Sequence, residues 1–220
     1  MIEYLVDIDK AMLVAVNGSY DLFQDALWWM VSAKWSSLLI VLALLWILLH
    51  KNRRHALLLL AMLVLAIVAA DQIASGIIKV MVERLRPTHE PSLSSVVHIV
   101  NGYHGGLYGF VSSHAANSFA VCTLIALVMR HRLVTLCLTL WALLQCYSRV
   151  YLGAHYPGDI LGGIIVGLLV AWLVWRLMCY IGHRWRFPEP YYTRADALTI
   201  AAAVVVTVTA LVTTALIQTA

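Results

Sequence analysis

The chain has 220 residues, 62% of them hydrophobic and 12% charged, a net charge of +4 and a mean hydropathy of +0.86. That composition excludes a water-soluble globular domain and makes a lipid bilayer the solvent. No basic tract suited to nucleic acid occurs, and Cys122, Cys137, Cys146 and Cys179 lie in apolar runs without zinc or redox spacing, which reads as buried thiols.

Glu3, Asp7 and Asp9 stand where a cleavable signal peptide needs basic residues, so the N-terminus is expected to stay on the protein. Ile2, Leu5, Val6, Met12, Leu13 and Val16 fall on one helical face, with Glu3, Asp7 and Lys10 largely opposite. This pattern predicts a helix lying in the membrane interface. A hydrocarbon core roughly 30 Å thick needs about 20 helical residues, and six segments qualify: 26–49, 56–80, 113–129, 133–151, 158–182 and 195–218, the third being short. The fold class is therefore all-α, a polytopic membrane protein of six transmembrane helices and one interfacial helix, in a single unit over 1–220.

The connections sort by charge. Lys51 to His55, Arg130 to Arg132, and the 183–194 stretch with Arg184, Arg186 and Arg194 are basic and fall on one side, which the positive-inside rule makes cytoplasmic. Both termini, the 81–112 loop and the 152–157 turn then face outward. Trp28, Trp29, Trp35, Trp175 and Trp185 near span ends read as interfacial belts.

The outward loops nevertheless hold cations that this rule does not place there. Lys79 and Arg86 are seven residues apart, two turns along one face if the second span continues that far, and Pro87 helps to end it. Ser112, Ser113 and His114 open the third span, putting hydroxyls and free helix-terminal amides beside an imidazole, an arrangement that binds anions. Ser148 and Arg149 end the fourth span; His155 follows, and Asp159 lies four residues on, in the opening turn that Pro157 begins. A carboxylate there accepts the imidazole proton and leaves the other nitrogen free to attack. Three cations, two histidines and one carboxylate thus converge on one membrane face, the chemistry needed to neutralise a phosphoryl group, attack it and protonate what leaves.

These clusters resemble the signature of the type 2 phosphatidic acid phosphatase superfamily, KxxxxxxRP, PSGH and SRxxxxxHxxxD. Here they read Lys79-VMVERL-Arg86-Pro87, Val111-Ser112-Ser113-His114 and Ser148-Arg149-VYLGA-His155-YPG-Asp159. The first and third are complete; the second departs at Val111 and Ser113. Where the family has Gly, Ser113 must adopt an accessible conformation or add a hydroxyl contact. The resemblance implies a six-helix core, a phosphohistidine intermediate and no required cofactor or metal. It makes His155 the nucleophile, Asp159 its orienting partner and His114 the leaving-group acid, with phosphate on Lys79, Arg86, Arg149, Ser112 and Ser113.

Asp71, about 12 Å along the helix from Lys79 by the 1.5 Å rise, is open between structural hydrogen bonding and function. Lys34 reads as snorkelling, and His89, His98 and His104 lack ligand spacing. A non-enzymatic anion carrier or lipid flippase would also need a basic pocket, but not paired histidines. Vanadium-dependent haloperoxidation, which shares this superfamily's site, is disfavoured by the membrane-embedded body. The resemblance to small bacterial members implies an inner or plasma membrane location, an outward-facing site and undecaprenyl diphosphate as substrate. Phosphatidylglycerophosphate, lipid A phosphates and phosphatidic acid are alternatives.

Overall fold

The computed structural model describes residues 2–186 and 191–220; part of the basic 183–194 connection, and the side chain of Ile2 in the predicted apolar face, lie outside them. The architecture is all-helical: α1 (Ile2–Asn17), α2 (Leu22–Ser32), α3 (Leu38–Leu49), α4 (Arg53–Asp71), α5 (Lys79–Val82), α6 (Ser113–Met129), α7 (Arg132–Tyr151), α8 (Pro157–Arg184) and α9 (Arg194–Thr219). Among the described residues the one trace of sheet is an isolated bridge between Leu85 and Tyr108.

Among the described residues four helices are long and apolar enough to cross a bilayer: Arg53–Val82, which runs through α4 and α5, and α7, α8 and α9. The first expected span is instead a bent pair, α2 and the Lys34–Leu49 segment, meeting at 66°. A fifth crossing results if that pair is one span. The bend frees the Val31 carbonyl, which bilayer hydrocarbon could not satisfy, and the interior does so: Ser36 Oγ donates to it at 2.9 Å and Gln145 Nε2 of α7 at 2.7 Å. Gln145 Nε2 also donates to Ser36 Oγ at 2.9 Å. The third expected span, α6, has 17 residues, about 25 Å of helix.

Apolar side chains such as Leu42, Val64, Leu161, Ile165, Leu169 and Trp172 point outward from these helices. A bilayer leaves them in contact with lipid, so association rests on close packing rather than on removal from water. The closest seam joins α6 and α8. A Cβ on Gly167 would lie 2.5 Å from the Ala116 carbonyl oxygen and 2.9 Å from Phe119 Cβ, and one on Gly163 would overlap the Ser112 carbonyl. Only glycine permits that approach.

Lys51 pairs with Asp196 at 2.7 Å and donates to the Tyr191 carbonyl at 3.0 Å. These contacts draw the basic α3–α4 and α8–α9 connections to one end of the bundle. At the opposite end α4 widens into a π-helical stretch, Gln72–Ile78, before α5, a device common at functional positions. The helix then stops at Val82, because Glu83 is left-handed at φ 51°. Arg86 is therefore not two helical turns from Lys79, as a continuing span would place it. It lies in an extended segment whose Arg86 N–H donates to the Leu107 carbonyl at 3.0 Å.

The N-terminal helix also differs from its predicted amphipathic face. Asp9, Leu13 and Asn17 are buried, whereas Leu5 and Met12 are exposed. Its inward stripe is partly polar because it meets polar partners. Asn17 Nδ2 donates to the Tyr151 carbonyl at 2.7 Å and to the His98 carbonyl at 2.9 Å. Lys10 pairs with Glu90 at 3.0 Å.

Candidate active site

At the end of α7 the chain turns sharply. Gly153 has φ +64°, and the Ala154 and His155 amides both donate to the Arg149 carbonyl, at 3.0 and 3.2 Å. This turn ties the backbone carrying His155 to the residue carrying the arginine. Tyr156 then caps α8 and Pro157 opens it, with Asp159 at the third position, where its Oδ2 accepts from the Tyr156 N–H at 3.0 Å. The same oxygen faces His155 Nδ1 at 3.4 Å. Both side chains are buried. A Cβ on Gly109 would sit 2.8 Å from Asp159 Oδ2, so the outer loop closes over this pair with bare backbone.

Burial holds the His155 imidazole well below its ordinary pKa, and Arg86, Arg149 and Lys79 push the same way; a hydrogen bond with the Gly109 backbone opposes them. Burial and the three cations thus favour the neutral ring, the state a nucleophilic imidazole requires. Desolvation likewise lowers the Arg86 guanidinium.

Ser112 caps α6, its Oγ accepting from the Ala115 N–H at 3.4 Å. Ser113, one residue on, turns its hydroxyl to Lys79 Nζ at 2.7 Å and Ser75 Oγ at 2.8 Å. The departure from the family's glycine thus adds a hydroxyl contact. His114 lies within electrostatic reach of Arg149, His155, Arg86 and Lys79. Arg86 Nε donates to the Tyr108 carbonyl at 3.1 Å. Arg149 reaches Ser32 Oγ through Nη1 and the Tyr103 hydroxyl through Nη2, while its Nε is buried without a partner among the described residues. A donor left open in a cluster of cations is an anion-binding feature.

The structure thus gathers Lys79, Arg86, Ser112, Ser113, His114, Arg149, His155 and Asp159 at one end of the bundle. The family pattern described as the PAP2 superfamily matches residues 56–183, a stretch that contains all eight. The chain belongs to the PAP2 superfamily. It is 37% identical over 186 residues to a lipid A 4'-phosphatase of Bacteroides thetaiotaomicron, covering 84% of this chain and 81% of that protein. It is 32% identical to the lipid A 4'-phosphatase of Porphyromonas gingivalis, covering 83% and 78%. The fold is shared with a transmembrane PAP2-type phosphatidylglycerolphosphate phosphatase from Bacillus subtilis, with a TM-score of 0.59, 24% identity, and coverage of 84% of this chain and 89% of that one.

Three residues that contact this candidate site were not expected from sequence. Arg84 donates to Asp159 Oδ1 at 3.0 Å; it occupies a variable position of the first motif, and its charge was the available signal. Tyr103 sits among Gly102, Gly105 and Gly106, and the positive φ of Gly102 and Gly105 lets the loop turn its phenol onto Arg149. Ser32 reaches Arg149 only because α2 ends at the bend, which no local pattern announces.

Proposed function

We propose that this multi-pass membrane enzyme is a lipid phosphatase that hydrolyses a phosphate monoester on a glycolipid of the lipid A class, at the outer face of a bacterial inner membrane. The observation carrying the chemistry is the buried His155 imidazole facing Asp159 Oδ2 at 3.4 Å among Lys79, Arg86 and Arg149, with Arg149 Nε holding no partner among the described residues. The substrate class is supported by the two lipid A 4'-phosphatases that match about four fifths of the chain. Undecaprenyl diphosphate, expected from sequence, would use the same phosphate cradle and is the competing substrate.

In the proposed reaction Lys79, Arg86, Arg149, the Ser113 amide and the Ser112 and Ser113 hydroxyls take the non-bridging phosphate oxygens, while the Ser112 amide is held by the Asp159 carbonyl at 2.9 Å. The free ring nitrogen of His155 attacks phosphorus in line, and the bond from phosphorus to the lipid oxygen breaks. His114 delivers a proton to that oxygen, so the lipid leaves as an alcohol. Asp159 stabilises the charge that His155 gains. In the second half, His114 takes a proton from water as the water oxygen attacks phosphorus, releasing inorganic phosphate and restoring His155. The phosphorus–nitrogen bond formed first is the bond broken second.

The body supporting this site is read as one unit over 1–220 with six crossings, the bent α2–α3 pair and the short α6 included. Its outward orientation is supported by the grouping of Lys51, Arg53, Arg54, Arg130, Arg132 and Arg184 at the end opposite the site.

The deciding experiment compares kcat/KM in matched detergent micelles for lipid A 4'-phosphate, undecaprenyl diphosphate, phosphatidylglycerophosphate and phosphatidic acid, with His155→Ala as blank. Lipid A is expected to lead by at least about tenfold, roughly 1.4 kcal/mol of transition-state discrimination. A lead for undecaprenyl diphosphate overturns the substrate and leaves the phosphatase chemistry standing.

A further inference from the structure

Arg84 is a bridge. Its Nη1 meets Asp159 Oδ1 at 3.0 Å, and its Nη2 meets Asp9 Oδ2 of α1 at 2.7 Å. Its guanidinium lies 4.0 Å from the centre of the Tyr156 ring. The second oxygen of Asp9 accepts from the Gly158 N–H at 2.7 Å, in the opening turn of α8. A Cβ on Gly158 would lie 2.6 Å from Asp9 Oδ2, so this approach depends on glycine. Asp9 itself lies outside the 56–183 stretch that matches the family.

We propose that Asp9 is a positioning residue for hydrolysis, holding the Asp159 carboxylate on His155 through Arg84, so that α1 is part of the catalytic apparatus. The inference rests on the reading of His155 as nucleophile. Asp159 has one oxygen shared by the Tyr156 amide and His155 and the other taken by Arg84. With Arg84 as its sole ionic partner, the carboxylate would be half of a neutral pair and a weaker partner for an imidazole gaining positive charge. Asp9 supplies a second negative charge, so the Asp9–Arg84–Asp159 group keeps a net charge of −1 beside His155. It also fixes the plane of the guanidinium from the side opposite Asp159, which a planar fork makes effective.

Neutralising Asp9 therefore acts on His155 in two ways with one sign. It removes stabilisation from the cationic phosphohistidine-forming transition state, and it makes protonation of free His155 harder. The other charged or titratable groups facing His155 are Lys79 from α5, Arg86 from the outer loop, His114 from α6, Arg149 from α7 and Asp159 from α8; all are unchanged by the substitution.

The test uses the purified full-length protein in detergent with the best lipid substrate of the panel above. Asp9→Asn, a near-isostere, is expected to lower kcat about tenfold with KM within about twofold, the pattern of an interaction made in the transition state. The acidic limb of its kcat/KM profile is expected to move to lower pH. Arg84→Lys keeps the charge and loses the fork; it is expected to lower kcat and leave the acidic limb in place. The Asp9→Asn/Arg84→Lys double variant is expected to lose less than the product of the single losses, since both act through one network. Wild-type kcat in Asp9→Asn, or a reduced kcat with an unmoved acidic limb, overturns the proposal. Where Arg84→Lys does not accumulate as folded protein, the Asp9→Asn profile decides alone. Turnover by His155→Ala would instead remove the nucleophile reading, a separate outcome.

Discussion

The Tyr103 hydroxyl accepts a hydrogen bond from Arg149 Nη2 at 2.8 Å, which puts a phenol from the outer loop on a cation of the proposed phosphate cradle. Burial pushes that phenol's pKa up, but Arg149 and Arg86 outweigh it and draw the value below the ordinary tyrosine range. A phenol so polarised is a stronger donor to a phosphate oxygen. Tyr103→Phe is expected to raise KM about tenfold, the loss of one hydrogen bond to a charged group, with kcat little changed. Steady-state kinetics on the preferred lipid check it; an unchanged KM would separate Tyr103 from the substrate.

His155→Ala is expected to abolish turnover while leaving a folded membrane protein, because it removes a neutral ring and strands no charge. Asp159→Asn is expected to retain a small residual rate, its amide being a weaker orienter and no counter-charge for imidazolium. Turnover with parallel thermal unfolding separates lost chemistry from lost fold.

The pH dependence follows from the depressed imidazole. Free His155 must be unprotonated to attack, and burial with Arg86, Arg149 and Lys79 holds its pKa down. The acidic limb of kcat/KM is therefore expected below the unperturbed histidine value of about 6.5. A limb at or above that value would contradict the electrostatics of the site.

Vanadate, a phosphate-like oxyanion able to take five-coordinate geometry, is expected to compete with substrate, and its affinity to fall in Arg149→Lys, which lacks the open Nε donor. Chelators are expected to leave the rate unchanged. Activity lost to a chelator and restored by one metal would replace the histidine mechanism with metal-assisted chemistry.

Orientation is checked by His104→Cys and His131→Cys in a cysteine-free background, labelled in sealed vesicles. Position 104 lies in the exposed outer loop and position 131 at the α6–α7 connection of the basic end. Labelling of 104 from outside and 131 from the cytoplasm is expected. The reverse pattern would put hydrolysis on the cytoplasmic face.

Local pattern carried the later helices well: 133–151 against Arg132–Tyr151, 158–182 against Pro157–Arg184, and 195–218 against Arg194–Thr219. The motif spacing also brought His155 and Asp159 onto one turn. What sequence left hidden depends on partners distant in the chain. The bend after Ser32 is supported by Gln145, 114 residues from Val31. The inward face of α1 is chosen by Arg84 and Gly158, which satisfy Asp9, rather than by the apolar periodicity of α1. The end of α5 turns on a left-handed Glu83, a conformation that no glycine there advertises.

The glycine seam between α6 and α8 also limits which parts of the site can fluctuate independently. His114 is borne by one of those helices and Asp159 by the other, and at Gly163 and Gly167 the glycine backbone meets the main chain and the rotamer-independent Cβ atoms of Ala115 and Phe119. Their spacing is thus set by main chain and Cβ atoms, free of rotamer jitter. On the proposed function, room for a head group is then left to the outer loop, where Gly102 and Gly105 at positive φ flank Tyr103, rather than to this seam.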